Sequence, residues 1–165
     1  MSFADEAMRA NAIHAADFHT GDRPAPPSRR VAVLTCMDAR VMPEHALGIG
    51  PGEAHVLRNA GGRVTDDVVR SLLVSTAILG TREAAVVHHT DCGLLGATND
   101  ELRARVASSS GASADDVDFL PFGDADAAVL EDVGAIVGDP RLTFERVSGF
   151  LYDVRTGRLR AVPAD

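Results

Sequence analysis

The sequence predicts an α/β protein, a three-layer α/β/α architecture around a mainly parallel central sheet with an antiparallel strand or hairpin added at the C-terminal end. Three observations carry this. Val31–Cys36 is a continuous apolar run without alternation, the pattern of a strand covered on both faces, and Ala84–His89 reads as another buried strand. A helix signal lies between them, and the order strand, helix, strand requires a right-handed crossover and parallel pairing. The final stretch, Arg146 to Val162, reads as two strands turning at Thr156-Gly157.

Each element has a local cause. Residues 3–18 fit a weakly amphipathic helix, and Gly21-Asp22-Arg23-Pro24-Ala25-Pro26-Pro27 cannot continue it, so residues 1–28 form a helical arm and a Pro-rich linker. Ala54 to Arg58 is a second short strand, ending at Asn59-Ala60-Gly61-Gly62. Thr65 offers a capping hydroxyl, with Asp66 and Asp67 at the positive end of the helix dipole, and the helix they start runs to Gly80. Thr98 and Glu101 make a capping box for the next helix, and Ala125 to Val137 forms another before Gly138-Asp139-Pro140. Ser108 to Ser113 reads as a flexible surface loop. At 165 residues the whole chain fits one domain, large enough to bury a core without disulfides.

Composition narrows the function classes. A formal net charge of −8 repels phosphate backbones, which argues against nucleic acid as a partner. The sixteen basic residues are all Arg, so lysine Schiff-base and lysine general-base mechanisms are excluded. The longest apolar stretch, Leu72 to Leu79, is broken by Ser75 and Thr76 and falls short of the roughly 20 residues of a membrane span. The N-terminal residues lack the basic start and apolar run of a signal peptide, so a cytoplasmic location is expected. In that compartment two cysteines are read as reduced, hence metal-binding or catalytic.

Ligands of open parallel sheets bind beyond the carboxyl ends of the strands. Cys36 closes the first strand, and His89-Thr90-Asp91-Cys92 closes the third; if those strands are neighbours, three metal-capable side chains meet at one edge. A Cys₂His set leaves a fourth position open, as catalytic zinc sites do, and the chain has no third cysteine to close it. His88, adjacent in a strand, must face the other way and is assigned to packing or hydrogen bonding behind the ligands. Asp38 and Arg40 stand two apart after Cys36, and in an extended segment a guanidinium fork can hold the carboxylate. Gly48-Ile49-Gly50-Pro51-Gly52 lacks the strand-to-helix setting of a phosphate loop and is read as a plain loop.

Cys36-Met37-Asp38-Ala39-Arg40, then Arg58-Asn59-Ala60-Gly61-Gly62, then His88-His89-Thr90-Asp91-Cys92-Gly93 resembles the β-class carbonic anhydrases, especially their short prokaryotic members. The motif-rich resemblance runs from about Val31 to Thr98. It implies reversible hydration of carbon dioxide to bicarbonate and a proton, with one Zn²⁺ per subunit held by Cys36, His89 and Cys92 and a zinc-bound hydroxide as nucleophile. Asp38, pinned by Arg40, would accept that hydroxide's hydrogen or, in a rival arrangement, take the fourth metal position. The resemblance also implies a homodimer or higher oligomer, with the N-terminal helix across the partner. Val33 stands where larger, bicarbonate-regulated members carry Trp, so that regulatory site is not expected. His45, His55 and His88 are candidate proton shuttles with none assigned. Two alternatives are carried forward: hydrolysis of carbonyl sulfide or carbon disulfide at the same site, and a non-catalytic zinc-binding regulatory protein.

Overall fold

The computed structural model describes residues 1–163. Its elements in chain order are α1 (Phe3–Ala16), β1 (Val31–Cys36), α2 (Pro43–Ala46), β2 (Ala54–Asn59), α3 (Asp66–Leu73), β3 (Glu83–His89), α4 (Asn99–Ser110), α5 (Ala125–Gly138), β4 (Arg146–Tyr152) and β5 (Leu159–Val162). The five strands form one sheet in the order β2-β1-β3-β4-β5; β1 to β4 are parallel, and only β5 pairs antiparallel, on β4. The expected mainly parallel sheet with a late antiparallel hairpin is therefore what the chain adopts.

β1 is buried at every position from Ala32 to Cys36, so alternate side chains on both faces are covered, as the apolar run required. On one face Leu34, Val86 and Leu151 share a core with Val68 and Leu72 of α3 and with Val129, Val133 and Ile136 of α5. Gly149 of β4 makes that packing close: a side chain there would run into Val129 and crowd Val133.

Three local expectations are corrected. The helix starting at Thr65 is α-helical only to Leu73; Val74–Ile78 widens to a π turn closed by Leu79 N–H to the Val74 carbonyl at 3.0 Å. Ser75 and Thr76 lie there, with their hydroxyls bonded to His55, Thr81 and Thr143, and side-chain partners of this kind compete with a regular helical ladder. Ser108 to Ser110 are the last turn of α4 and not loop, the helix stopping at Gly111 in the left-handed conformation (φ 73°). Asp38 and Arg40 are not in an extended segment; the chain leaves β1 at Cys36 and enters a turn.

α1 has the Ser2–Asp5 capping box but buries none of its residues against this chain. β1 and β3 are direct neighbours, in register from Val31 with Glu83 to Thr35 with Val87, and their carboxyl ends therefore open at the same edge of the sheet.

Candidate metal centre

At that edge Cys36, His89 and Cys92 converge, with one ligand atom from each lying within 4.8 Å of the others, and all three residues buried. Tetrahedral zinc bonds of about 2.0–2.3 Å place ligand atoms about 3.3–3.8 Å apart, inside that envelope. The imidazole of His89 is oriented for the purpose. Its Nδ1 lies 2.8 Å from the Thr90 carbonyl, which can only accept, so Nδ1 carries the proton and Nε2 keeps its lone pair. That Nε2 is buried with no hydrogen-bond partner among the described residues. An orphaned buried nitrogen facing two free buried sulfurs is the donor set of a cation site, and it fits zinc.

The protonation states point the same way. Cys36 is held well below its ordinary pKa, first by a hydrogen bond from the Cys92 thiol and against the cost of burial. Cys92 is pushed up because it donates to Cys36 and because it is buried. Burial lowers His89, but contact with Cys36, the Thr90 carbonyl and the charge of Asp38 outweigh it and raise the pKa.

Asp38 and Arg40 come together as expected, by a different geometry. The Arg40 backbone N–H folds back onto Asp38 Oδ1 at 2.9 Å, and the guanidinium completes the grip, with Nε 3.0 Å from Oδ1 and a terminal nitrogen 2.7 Å from Oδ2. These bonds, first from the Arg40 side chain and then from its backbone, hold the Asp38 carboxyl far below the usual carboxylate range. Asp38 Oδ2 stands 3.9 Å from His89 Nε2, so the carboxylate borders the ligand cluster.

Two residues not singled out from the sequence complete the framework. Arg40 also donates to Asp91, at 2.7 Å to the carboxylate and 2.9 Å to the backbone carbonyl, and so ties the loop after β1 to the loop between His89 and Cys92. Asp91 adopts a left-handed conformation (φ 57°), unusual for a residue with a side chain. Arg58 donates to the carbonyls of Cys36 and Asp38 at 3.0 and 2.7 Å, which fixes the backbone of the first loop. An acid between two ligands, and an arginine at the end of the neighbouring strand, were the available signals. His88 lies behind the ligands against Asp132, and His55 bonds Ser75 at 2.8 Å.

Comparison with known proteins agrees with the geometry. Residues 31–114 match the family model described as carbonic anhydrase. β-Carbonic anhydrase 1 of Mycobacterium tuberculosis is 41% identical over 165 residues, spanning 98% of this chain and 99% of that protein. A carbon disulfide hydrolase of an Acidianus species is 38% identical, spanning 82% of this chain and 78% of its own length. The crystal structure of carbonic anhydrase from Streptococcus mutans matches with a TM-score of 0.94 at 45% identity, covering 99% of each chain. With the buried Cys₂His cluster, the parallel sheet that presents it and full-length relatedness all in agreement, the chain belongs to the β-carbonic anhydrase family.

Proposed function

We propose that the chain, as one zinc domain, catalyses reversible hydration of carbon dioxide to bicarbonate and a proton, with Cys36, His89 and Cys92 as the metal ligands. The observation that carries this is the placement of an ionised, arginine-clamped carboxylate, Asp38, 3.9 Å from the free nitrogen of His89. Bound zinc supplies Lewis acidity, which brings the pKa of water from about 16 toward 7. Asp38, which stays ionised, would accept a hydrogen bond from the attacking oxygen and so aim its lone pair at the carbon, the proton itself leaving to solvent. Arg40 occupies one side of each Asp38 oxygen, which keeps the carboxylate ionised and turned toward the ligands. Arg58 holds the backbone on which both Cys36 and Asp38 ride.

Stopped-flow hydration with a pH indicator on zinc-loaded protein tests the proposal. Wild type should turn over, and Asp38→Ala should lose on the order of 10²-fold or more, the range that misplacing a reacting group costs. A silent wild type with stoichiometric zinc would sink the reading. The kinship to a carbon disulfide hydrolase favours a second substrate class, so the same protein is assayed for sulfide release from carbon disulfide.

The proposed homodimer or higher oligomer has its own support. β2 is an edge strand with one unpaired side, beside a groove of ≈ 440 Å³ lined by His55, Leu57, Val74 and Leu79. α1 leaves Phe3, Met8 and Ile13 exposed. Light scattering should give a mass of at least two chains, and deletion of residues 1–20 should shift it toward one. A cytoplasmic setting is proposed because both cysteines must stay reduced to serve as ligands; no helix among the described residues is long and apolar enough to cross a membrane.

A further inference from the structure

Behind the ligands lies a second, fully buried polar cluster that the hydration chemistry does not use. Asp132 of α5 is 2% exposed, and its carboxylate meets three groups from two other segments. Oδ1 accepts from the Val64 backbone N–H at 2.8 Å. Oδ2 lies 2.9 Å from Arg63 Nε and 3.0 Å from His88 Nε2. Arg63 and His88 are themselves 5% and 0% exposed, and the remaining reach of Arg63 goes to Glu131 at 2.6 Å. Among the described residues neither ring nitrogen of His88 makes a well-aligned hydrogen bond, and the 3.0 Å approach of Asp132 Oδ2 to Nε2 is the polar contact that borders the ring. The Phe122 ring closes the cluster, 5.6 Å from the His88 ring and 5.7 Å from the Arg63 guanidinium carbon.

We propose that Asp132 is a positioning residue for the metal centre, tethering from beneath the segments that carry Cys36, His89 and Cys92. This rests on the metal-centre reading above. Three short routes connect it to the ligands. His88 directly precedes His89, so a fixed His88 ring restrains the next peptide and the direction of the ligating imidazole. Arg63 and Val64 follow Gly62, where a Cβ would lie 2.9 Å from the Cys36 nitrogen, so their loop rests directly against the first ligand. Asn59 closes the same loop from its other side, its amide bonding the Arg63 carbonyl at 2.8 Å and its oxygen the Arg63 N–H at 2.9 Å. Phe122 packs in one apolar cluster with Cys36, Cys92 and Ala128, which brings the third ligand onto the same base. Outer partners of metal ligands act in this way, fixing orientation without touching the ion.

The competing account is a plain core ion pair, for which removal costs stability and nothing else. The two separate in a zinc titration. Asp132→Asn keeps the volume and the oxygen facing Val64 but removes the charge facing Arg63 and His88. Zinc affinity is measured by competition with a chromophoric chelator, and melting temperature is measured with and without zinc. Leu142→Ala, a buried core change outside the centre, serves as the control. The expected result is a zinc affinity about 10–100-fold weaker in Asp132→Asn and a smaller zinc-induced rise in melting temperature. Leu142→Ala should lower both melting temperatures alike and keep wild-type affinity. Wild-type zinc affinity in folded Asp132→Asn overturns the proposal. Should that variant fail to fold, His88→Phe cuts the same tether while keeping an aromatic ring, and unchanged affinity there is equally fatal. Wild type that takes up no zinc instead overturns the metal-centre reading, in the same titration.

Discussion

Cys92→Ser is expected to abolish stoichiometric zinc binding and carbon dioxide hydration together. The centre has two sulfurs and one nitrogen, so losing a sulfur removes a third of its donors and one of its two anionic charges. A serine hydroxyl does not ionise near neutral pH and is a poor replacement for thiolate toward zinc. The loss should exceed the roughly 10–100-fold typical of changes in outer partners of metal ligands. Acid should weaken zinc binding in the wild type for a related reason. Cys92 and His89 are both raised and hold their protons more firmly, so falling pH favours the proton over the metal. Zinc content after dialysis against a weak chelator, measured beside hydration rate, is the test. A Cys92→Ser protein with full zinc and wild-type turnover would remove Cys92 from the ligand set.

The residues that converge on the candidate metal centre were legible in the sequence because their chemistry is local. Cys36 ends an apolar run, His89 and Cys92 are three apart, and both cysteines of the chain are used. Strand existence was legible for the same reason, since an unbroken run such as Val31–Leu34 has few other uses. What was not legible depends on contacts between residues far apart in the chain. Asp132 meets Val64 and Arg63 across nearly seventy positions and His88 across more than forty, and no spacing rule reaches that far. A partial signal was present. Asp132 falls three and four places after Val129 and Ala128 and four before Ile136, so it is an acid set into the buried stripe of α5. A carboxylate there needs a buried partner, which identifies the residue as interesting without naming what it meets. The Asp38–Arg40 pair shows the converse: the partners were evident from chemistry, yet the turn that joins them arises from a backbone hydrogen bond that two residue types alone do not specify.

Gly62→Ala is expected to destabilise the fold and the metal centre at once, well beyond an ordinary glycine replacement. Gly62 has φ 70°, and a Cβ built there lies 2.9 Å from both the Cys36 nitrogen and the Thr35 carbonyl carbon. Those atoms belong to β1, paired with β2 on one side and β3 on the other, so they cannot rotate away as a side chain would. The left-handed backbone alone costs about 1–2 kcal/mol for a residue with a side chain. Relief of the contact must move either the loop or the Cys36 backbone, adding about 1–3 kcal/mol of overpacking. Gly80 supplies the comparison, with φ 71° and nothing within 4 Å of a built Cβ. Gly80→Ala should therefore show the backbone cost alone. Urea unfolding of metal-free and zinc-loaded protein separates the effects: Gly62→Ala should lose more in the loaded state than in the metal-free state, because displacing Cys36 weakens zinc affinity as well. Equal losses for Gly62→Ala and Gly80→Ala, with zinc affinity intact, would show that the loop yields and that its close approach to Cys36 does not hold the ligand in place.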